Sequence, residues 1–229
     1  MTSDFKTISF TLTNGIGHVV LNQPPGNAMT VEFFSEFYRL VNELRTMEEL
    51  KAIVISSSGR HFSSGAELDG LIGLVSKEEM RNEENEDLLI SNYKSFLFLE
   101  ETEIPVISAI RGVCIGSAFE LALFSHFRFC GEDAVFGLPE TTFNLMPGIG
   151  GISRMAARCG TARAIELVLK GSTFGADEAL KYNLVDRIVP KRRVVDFAMG
   201  FAAKINKDYR KQMAPLYIQK IHEDDFQLN

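Results

Sequence analysis

At 229 residues the chain has the length for one large domain, or one and a half small ones, with a substantial core. Its 24 basic and 30 acidic side chains give a net charge of −6, so it lacks the basic stripe that nucleic acid needs, and an anionic ligand would have to be held by local donors. The start MTSDFKTISF does not read as a signal peptide, no apolar run nears the ~20 residues that span a bilayer, and Cys114, Cys130 and Cys159 form no CxxC pair, so a cytoplasmic chain with free thiols and no membrane partner is expected.

Ile8 to Thr13 and Gly17 to Asn22 alternate like strands around the turn dipeptide Asn14-Gly15, which predicts a hairpin. Two prolines and a glycine make 23–27 (QPPGN) a loop. Phe33, Phe34, Phe37, Leu40, Val41 and Leu44 recur at helical spacing, predicting a helix from about Thr30 to Met47. Ala52 to Ile55 reads as a buried strand and Ser56 to Gly65 as a polar loop. The run Lys77 to Asp87 (KEEMRNEENED) is predicted to be a solvated or mobile surface segment.

A helix is then expected over Glu86 to Leu99, a strand over Pro105 to Ile110, a loop over Arg111 to Gly116 and a helix over Ser117 to Ser125. Short strands follow at His126 to Cys130 and Ala134 to Gly137. Beyond Gly150 the pattern is mostly helical, broken by Gly160, Gly171 and the strand-like Leu184 to Val189. The alternation points to a layered α/β fold.

Four junctions could carry chemistry. The small-residue loops 63–68 (SSGAEL) and 112–117 (GVCIGS) each follow a strand and offer free backbone N–H groups. Two such groups meeting on one oxygen form an oxyanion hole; either loop could equally be a tight connection. Glu120 stands in the apolar run CIGSAFELALFSH, and Glu140 follows Phe136-Gly137-Leu138-Pro139. Two carboxyls in apolar surroundings can have their proton affinities pushed apart, so that one serves as acid and the other as base. Each alone could be a structural hydrogen-bonding group.

Other chemistries fit less well. A serine hydrolase built on Ser63 or Ser64 with His61 and Asp69 lacks the GxSxG elbow. The run 148–151 (GIGG) is not a dinucleotide fingerprint, and His18, His61, His126 and His222 lack metal-ligand spacing.

Taken in order, 104–112 (IPVISAIRG), 116–122 (GSAFELA), 136–151 (FGLPETTFNLMPGIGG), 162–171 (ARAIELVLKG), 176–180 (ADEAL) with 184–189 (LVDRIV), and the upstream 62–69 (FSSGAELD) resemble the crotonase superfamily, the enoyl-CoA hydratases and isomerases. The likeness covers roughly residues 8 to 205. It implies an α/β spiral of repeated ββα units over 1–190, a helical C-terminal segment over 191–229 that is shorter than usual, and assembly as a homotrimer or dimer of trimers.

It further implies an enzyme of fatty-acid-type metabolism acting on an acyl-CoA or carrier-protein thioester, with no metal or redox cofactor and coenzyme A only as part of the substrate. The oxyanion donors would be the backbone N–H groups of Ala66 and Ser117, and the catalytic pair Glu120 and Glu140. Substrate contacts are expected at Asn27, Ala28, Ser64, Gly65, Leu68 and Gly116. Retention of both glutamates favours hydration of an enoyl thioester over the family's Δ-isomerase and decarboxylase reactions, with a non-catalytic scaffold as a further alternative. The loop 23–28 lacks the basic residue that many relatives place before the matching Asn-Ala; Arg60 lies near the other binding loop. Phe119 could narrow the acyl site or belong to the core.

Overall fold

The alternation of short strands and amphipathic helices resolves into two sheets in the computed structural model, which describes residues 4–67 and 83–205, with 83–89 described by their backbone alone. β1 (Ile8–Thr13) and β2 (Ile16–Leu21) form the expected hairpin, Asn14 and Gly15 taking the positive φ values of 54° and 81° that a two-residue turn demands. Thr30 caps α1 (Val31–Leu44) by accepting the Phe33 N–H, and the helix buries Phe33, Phe37, Leu40, Val41 and Leu44 along one stripe. It ends three residues earlier than the pattern predicts. Thr46 turns back on the Glu43 carbonyl with both its N–H (3.1 Å) and its hydroxyl (2.9 Å), which replaces the next helical turn.

β3 (Ala52–Ser57) is buried along its whole length and adds to β2 in parallel. α2 (Glu83–Glu101) starts earlier and runs longer than expected; of the acidic run 77–87, positions 77–82 lie outside the described residues and 83–87 open this helix. β4 (Val106–Ile110) then pairs in parallel with β3. The segment expected as a loop from Arg111 to Gly116 contains β5 (Val113–Ile115), three residues being too few to show a period. α3 (Ser117–Leu123) follows, then β6 (Phe127–Gly131), β7 (Val135–Gly137) and a 3-10 turn (Pro139–Phe143).

The last third contains α4 (Gly151–Cys159), α5 (Thr161–Lys170), β8 (Phe174–Gly175), α6 (Ala176–Lys181), β9 (Arg187–Val189) and α7 (Val194–Lys204). β8 was not anticipated, and β9 is half the length of the expected Leu184 to Val189 strand. The Leu184 N–H is taken by the Ala179 carbonyl of α6, so the chain extends only after that bond.

The larger sheet runs β1-β2-β3-β4-β6-β9 and the smaller β5-β7-β8. Side chains alternate across the larger sheet. Ile53, Ile55, Val106 and Ile110 join the main core with Phe33, Phe37, Phe96 and Phe124, whereas Val54, Ile107, Ala109 and Phe129 pack under Val194, Ala198 and Ala202 of α7. Phe119 is fully buried between Phe136 (ring centroids 5.3 Å apart) and Phe174 (5.9 Å), which makes it a core residue joining α3 to the smaller sheet. Among the described residues no helix is long and apolar enough to cross a membrane, and no cluster of side chains has the make-up of a metal site.

Candidate active site

Two backbone turns meet where the smaller sheet begins. Ser63 bridges to Cys114 of β5, its N–H donating to the Val113 carbonyl (3.0 Å) and its own carbonyl accepting from Ile115 N–H (3.3 Å). Two residues on, the Gly65 carbonyl accepts from Met29 N–H at 2.8 Å, so the 63–67 segment is threaded between the chain at Met29 and β5. Gly65 has φ +83°, and a Cβ there would stand 2.7 Å from the Ile115 carbonyl oxygen and 3.4 Å from the Ser117 nitrogen. Only glycine permits that contact between the loops. Gly116, with φ +58°, makes the matching turn into α3, its N–H bonded to the Gly137 carbonyl at 2.9 Å. Among the described residues, neither the Ala66 N–H nor the Ser117 N–H has a hydrogen-bond acceptor.

Asn27, Ala28 and Ser64, three more of the expected contact positions, lie on the segments that pair at this junction. Asn27 is buried and its side chain is committed to the protein: Oδ1 accepts from Gln23 N–H (2.8 Å), and Nδ2 donates to the carbonyls of Ser58 (2.9 Å) and His61 (2.8 Å). It therefore shapes the loop and has little left to offer a ligand. Ala28 is half-buried beside it, and Ser64 is exposed with its N–H on the Gly26 carbonyl at 2.9 Å. Leu68 lies outside the described residues. Arg60 is exposed.

Glu120, on the first turn of α3, is completely buried. Its Oε1 accepts from two backbone N–H groups, Ile149 at 3.0 Å and Gly151 at 2.9 Å, at the start of α4. Its Oε2 is equally buried and has no partner among the described residues. Burial raises the carboxyl from 4.5 to about 7; the Gly151 N–H pulls it back, Glu140 pushes it further up, and the Ile149 N–H and Arg154 guanidinium lower it. The fit around it is close, since a Cβ on Gly151 would fall 2.6 Å from Glu120 Cγ.

Glu140 enters from the 3-10 turn after β7. A Cβ built on Gly116 would stand 3.2 Å from its Oε1, which sets the carboxyl against the turn that presents Ser117. Its Oε2 is also buried without a partner among the described residues, and burial raises its proton affinity. The loops that carry Ala66 and Ser117 thus meet at one junction with the Glu140 carboxyl against it, and Glu120, on the first turn of α3, is near enough to Glu140 to feel its charge. Of the hydrolase alternative, His61 Nδ1 accepts from Val113 N–H (3.1 Å) and the Ser63 hydroxyl accepts from Gly65 N–H (3.1 Å), while Asp69 lies outside the described residues.

Sequence reasoning missed the groups that hold Glu120. The glycine run 148–151 enters the sequence reading as part of the resembling stretch 136–151 and as a rejected nucleotide loop, with no role toward Glu120, yet it supplies both N–H donors. Arg154, one turn further, was not singled out.

Comparison with known proteins gives the family and the fold. The family model for enoyl-CoA hydratase/isomerase matches residues 11–223. A candidate enoyl-CoA hydratase from Thermobifida fusca YX, solved in complex with CoA, superposes with a TM-score of 0.82 at 26% identity over 93% of this chain and 85% of its own. The enoyl-CoA hydratase from Bacillus anthracis gives 0.80 at 25% identity, over 95% and 90% of the two chains. Pseudomonas aeruginosa DspI, at 23% identity and a TM-score of 0.84 over 96% and 83%, shares the fold. With a family match over nearly its whole length and the crotonase fold described above, the chain belongs to the enoyl-CoA hydratase/isomerase family.

Proposed function

We propose that the chain hydrates an enoyl thioester, adding water across its 2,3-double bond. The observation that carries this reading is the pair of buried, unpartnered carboxyl oxygens, Glu120 Oε2 and Glu140 Oε2, beside two backbone N–H groups without acceptors among the described residues. A buried polar atom left unpaired costs roughly 1–3 kcal/mol, and the two carboxyl oxygens are accounted for if a polar substrate and a water complete them.

The thioester carbonyl oxygen accepts from Ala66 N–H and Ser117 N–H. Those donors withdraw electron density from C3 and hold the enolate oxygen once the nucleophile has added. Water lies between the two carboxyls. Its oxygen bonds to C3 while Glu120, in its ionised form, takes its proton; Glu140, in its acid form, delivers a proton to C2 as the enolate collapses. The product carries the hydroxyl on C3 and the new hydrogen on C2, and a proton passing from Glu120 to Glu140 restores the starting state. Burial raises the proton affinity of both groups, so the site favours holding a proton near neutrality, and the assignment of base to Glu120 and acid to Glu140 is part of the proposal. Ala28, Ser64, Gly65 and Gly116 form the backbone wall along the thioester, and Asn27 shapes that wall from behind. The neighbours from Thermobifida fusca, solved with CoA and with acetoacetyl-CoA, support a CoA thioester as the substrate.

The test is product analysis. Crotonyl-CoA incubated with the protein should yield 3-hydroxybutyryl-CoA by proton NMR, and Glu120→Gln should abolish that signal. A product with the double bond moved to the 3,4-position, or no reaction across short, medium and aromatic enoyl thioesters by a folded protein, would overturn the hydratase reading.

A further inference from the structure

A buried ion pair stands against the site, and the hydration chemistry above does not use it. Arg154 in α4 donates from Nε (2.9 Å) and Nη2 (2.5 Å) to Glu100 Oε2 near the end of α2. Both side chains are buried, 12% and 7% exposed. The guanidinium lies 3.7 Å from the ring centroid of Phe124 and 5.7 Å from that of Tyr93. Its remaining arm, Nη1, donates to the Gly150 carbonyl at 3.2 Å. Gly150 stands between Ile149 and Gly151, the two residues whose N–H groups grip Glu120 Oε1. A Cβ on Gly150 would be 2.8 Å from Arg154 Nη1 and 3.2 Å from the Tyr93 ring, so turn, guanidinium and ring pack as one block.

We propose that Arg154, braced by Glu100, is a positioning residue that fixes the 149–151 turn around Glu120 and faces that carboxyl with a permanent positive charge. The proposal rests on the reading of Glu120 as a working carboxyl. A pair needed only for cohesion could be replaced by apolar side chains at little cost, whereas a charge needed by its neighbour could not.

The charged surroundings are few. Glu140 reaches Glu120 from the 3-10 turn, and Arg154 reaches it from α4. Arg158, also on α4, donates to the Leu123 carbonyl at the far end of α3 (3.1 Å). His126, after α3, accepts Val106 N–H on Nδ1 (2.9 Å) and donates from Nε2 to the Glu100 carbonyl (3.0 Å); burial lowers it to about 4 and keeps it neutral. Burial likewise keeps the Cys114 thiol of β5 protonated. Arg154 is thus the positive charge that acts on Glu120, and it lowers the proton affinity that burial raises.

The test compares Arg154→Met, Arg154→Lys and the double variant Glu100→Gln/Arg154→Met with the parent. Arg154→Met alone leaves Glu100 buried and unpaired and is expected to melt lower; the double variant removes both charges and is expected to regain the parent's melting temperature. Turnover of crotonyl-CoA should nevertheless stay down in the double variant by about 10- to 100-fold in kcat with KM unchanged. The Glu120 carboxyl, followed by carbon NMR of carboxyl-labelled glutamate and assigned with Glu120→Gln, should titrate about one pH unit higher. Arg154→Lys keeps the charge and should restore most of that midpoint. A folded double variant with the parent's kcat, or with an unshifted Glu120 resonance, overturns the proposal. Failure of the underlying reading shows separately: Glu120→Gln would then turn over like the parent, and the NMR midpoint would still report whether Arg154 acts on this carboxyl.

Discussion

Replacing Glu120 by glutamine should make the fold more resistant to rising pH. The carboxyl holds its proton up to about 7 in the folded chain but only to 4.5 as an ordinary glutamate. The folded state therefore binds a proton that the unfolded state has released throughout the interval between those values, so stability falls as pH climbs from 4.5 to 7 and levels off above it. At ~1.4 kcal/mol per unit the whole interval corresponds to about 3 kcal/mol. Glutamine keeps the shape, and its oxygen still accepts from Ile149 and Gly151 N–H. Any cost of its unpaired amide nitrogen is independent of pH and drops out of the comparison. The chain has no tryptophan, so urea unfolding is best followed by far-UV circular dichroism, at one protein concentration, from pH 4 to 8.5. The difference between variant and parent should grow by about 3 kcal/mol in favour of the variant over that range. Parallel pH profiles for the two proteins would refute the argument, because Glu120 would then have to titrate alike in both states.

Two further substitutions probe the scaffold around the site. Gly65→Ala forces a side chain into φ +83° and sets its Cβ 2.7 Å from the Ile115 carbonyl, so it should cost about 1–3 kcal/mol and lower kcat by separating Ala66 from Ser117; a folded variant with normal turnover would contradict the role given to that contact. Phe119→Ala should open a cavity between Phe136 and Phe174 and cost about 3–5 kcal/mol in urea unfolding, while the order of kcat/KM across acyl-chain lengths stays as in the parent; a changed order would place Phe119 in the acyl site after all.

Much of this architecture was legible in the residues. The Asn-Gly turn, the helical spacing of the phenylalanines in α1 and the buried run of β3 each carry a local signal strong enough to act alone. The strands β5 and β8 do not, because three and two residues hold no period and their pairing is set by segments remote in the chain. The site shows the same division. Glu120 and Glu140 stood out as charges in apolar runs, and the glycine turns as places where two loops could touch. What remained hidden was how Glu120 is held. Its donors lie 29 and 31 residues away, on a turn whose glycines resemble several other motifs. Arg154 was hidden for a similar reason: its partner Glu100 is 54 residues upstream, and a single arginine on an amphipathic helix usually faces solvent.

Asn27 carries the opposite lesson. Its position was legible, but the three hydrogen bonds that occupy its amide show it organising a loop. The amide of this position, expected from resemblance to touch substrate, is committed to the protein itself.

The most direct measurement is the turnover of crotonyl-CoA by Glu140→Gln. Glutamine preserves the volume beside Gly116 but has no acid proton to deliver to C2. The account expects kcat to fall by about 10²–10⁴-fold with KM little changed and the melting temperature intact. Hydration by Glu140→Gln at the parent's rate would contradict the assignment of this carboxyl as the proton donor, and with it the two-carboxyl mechanism.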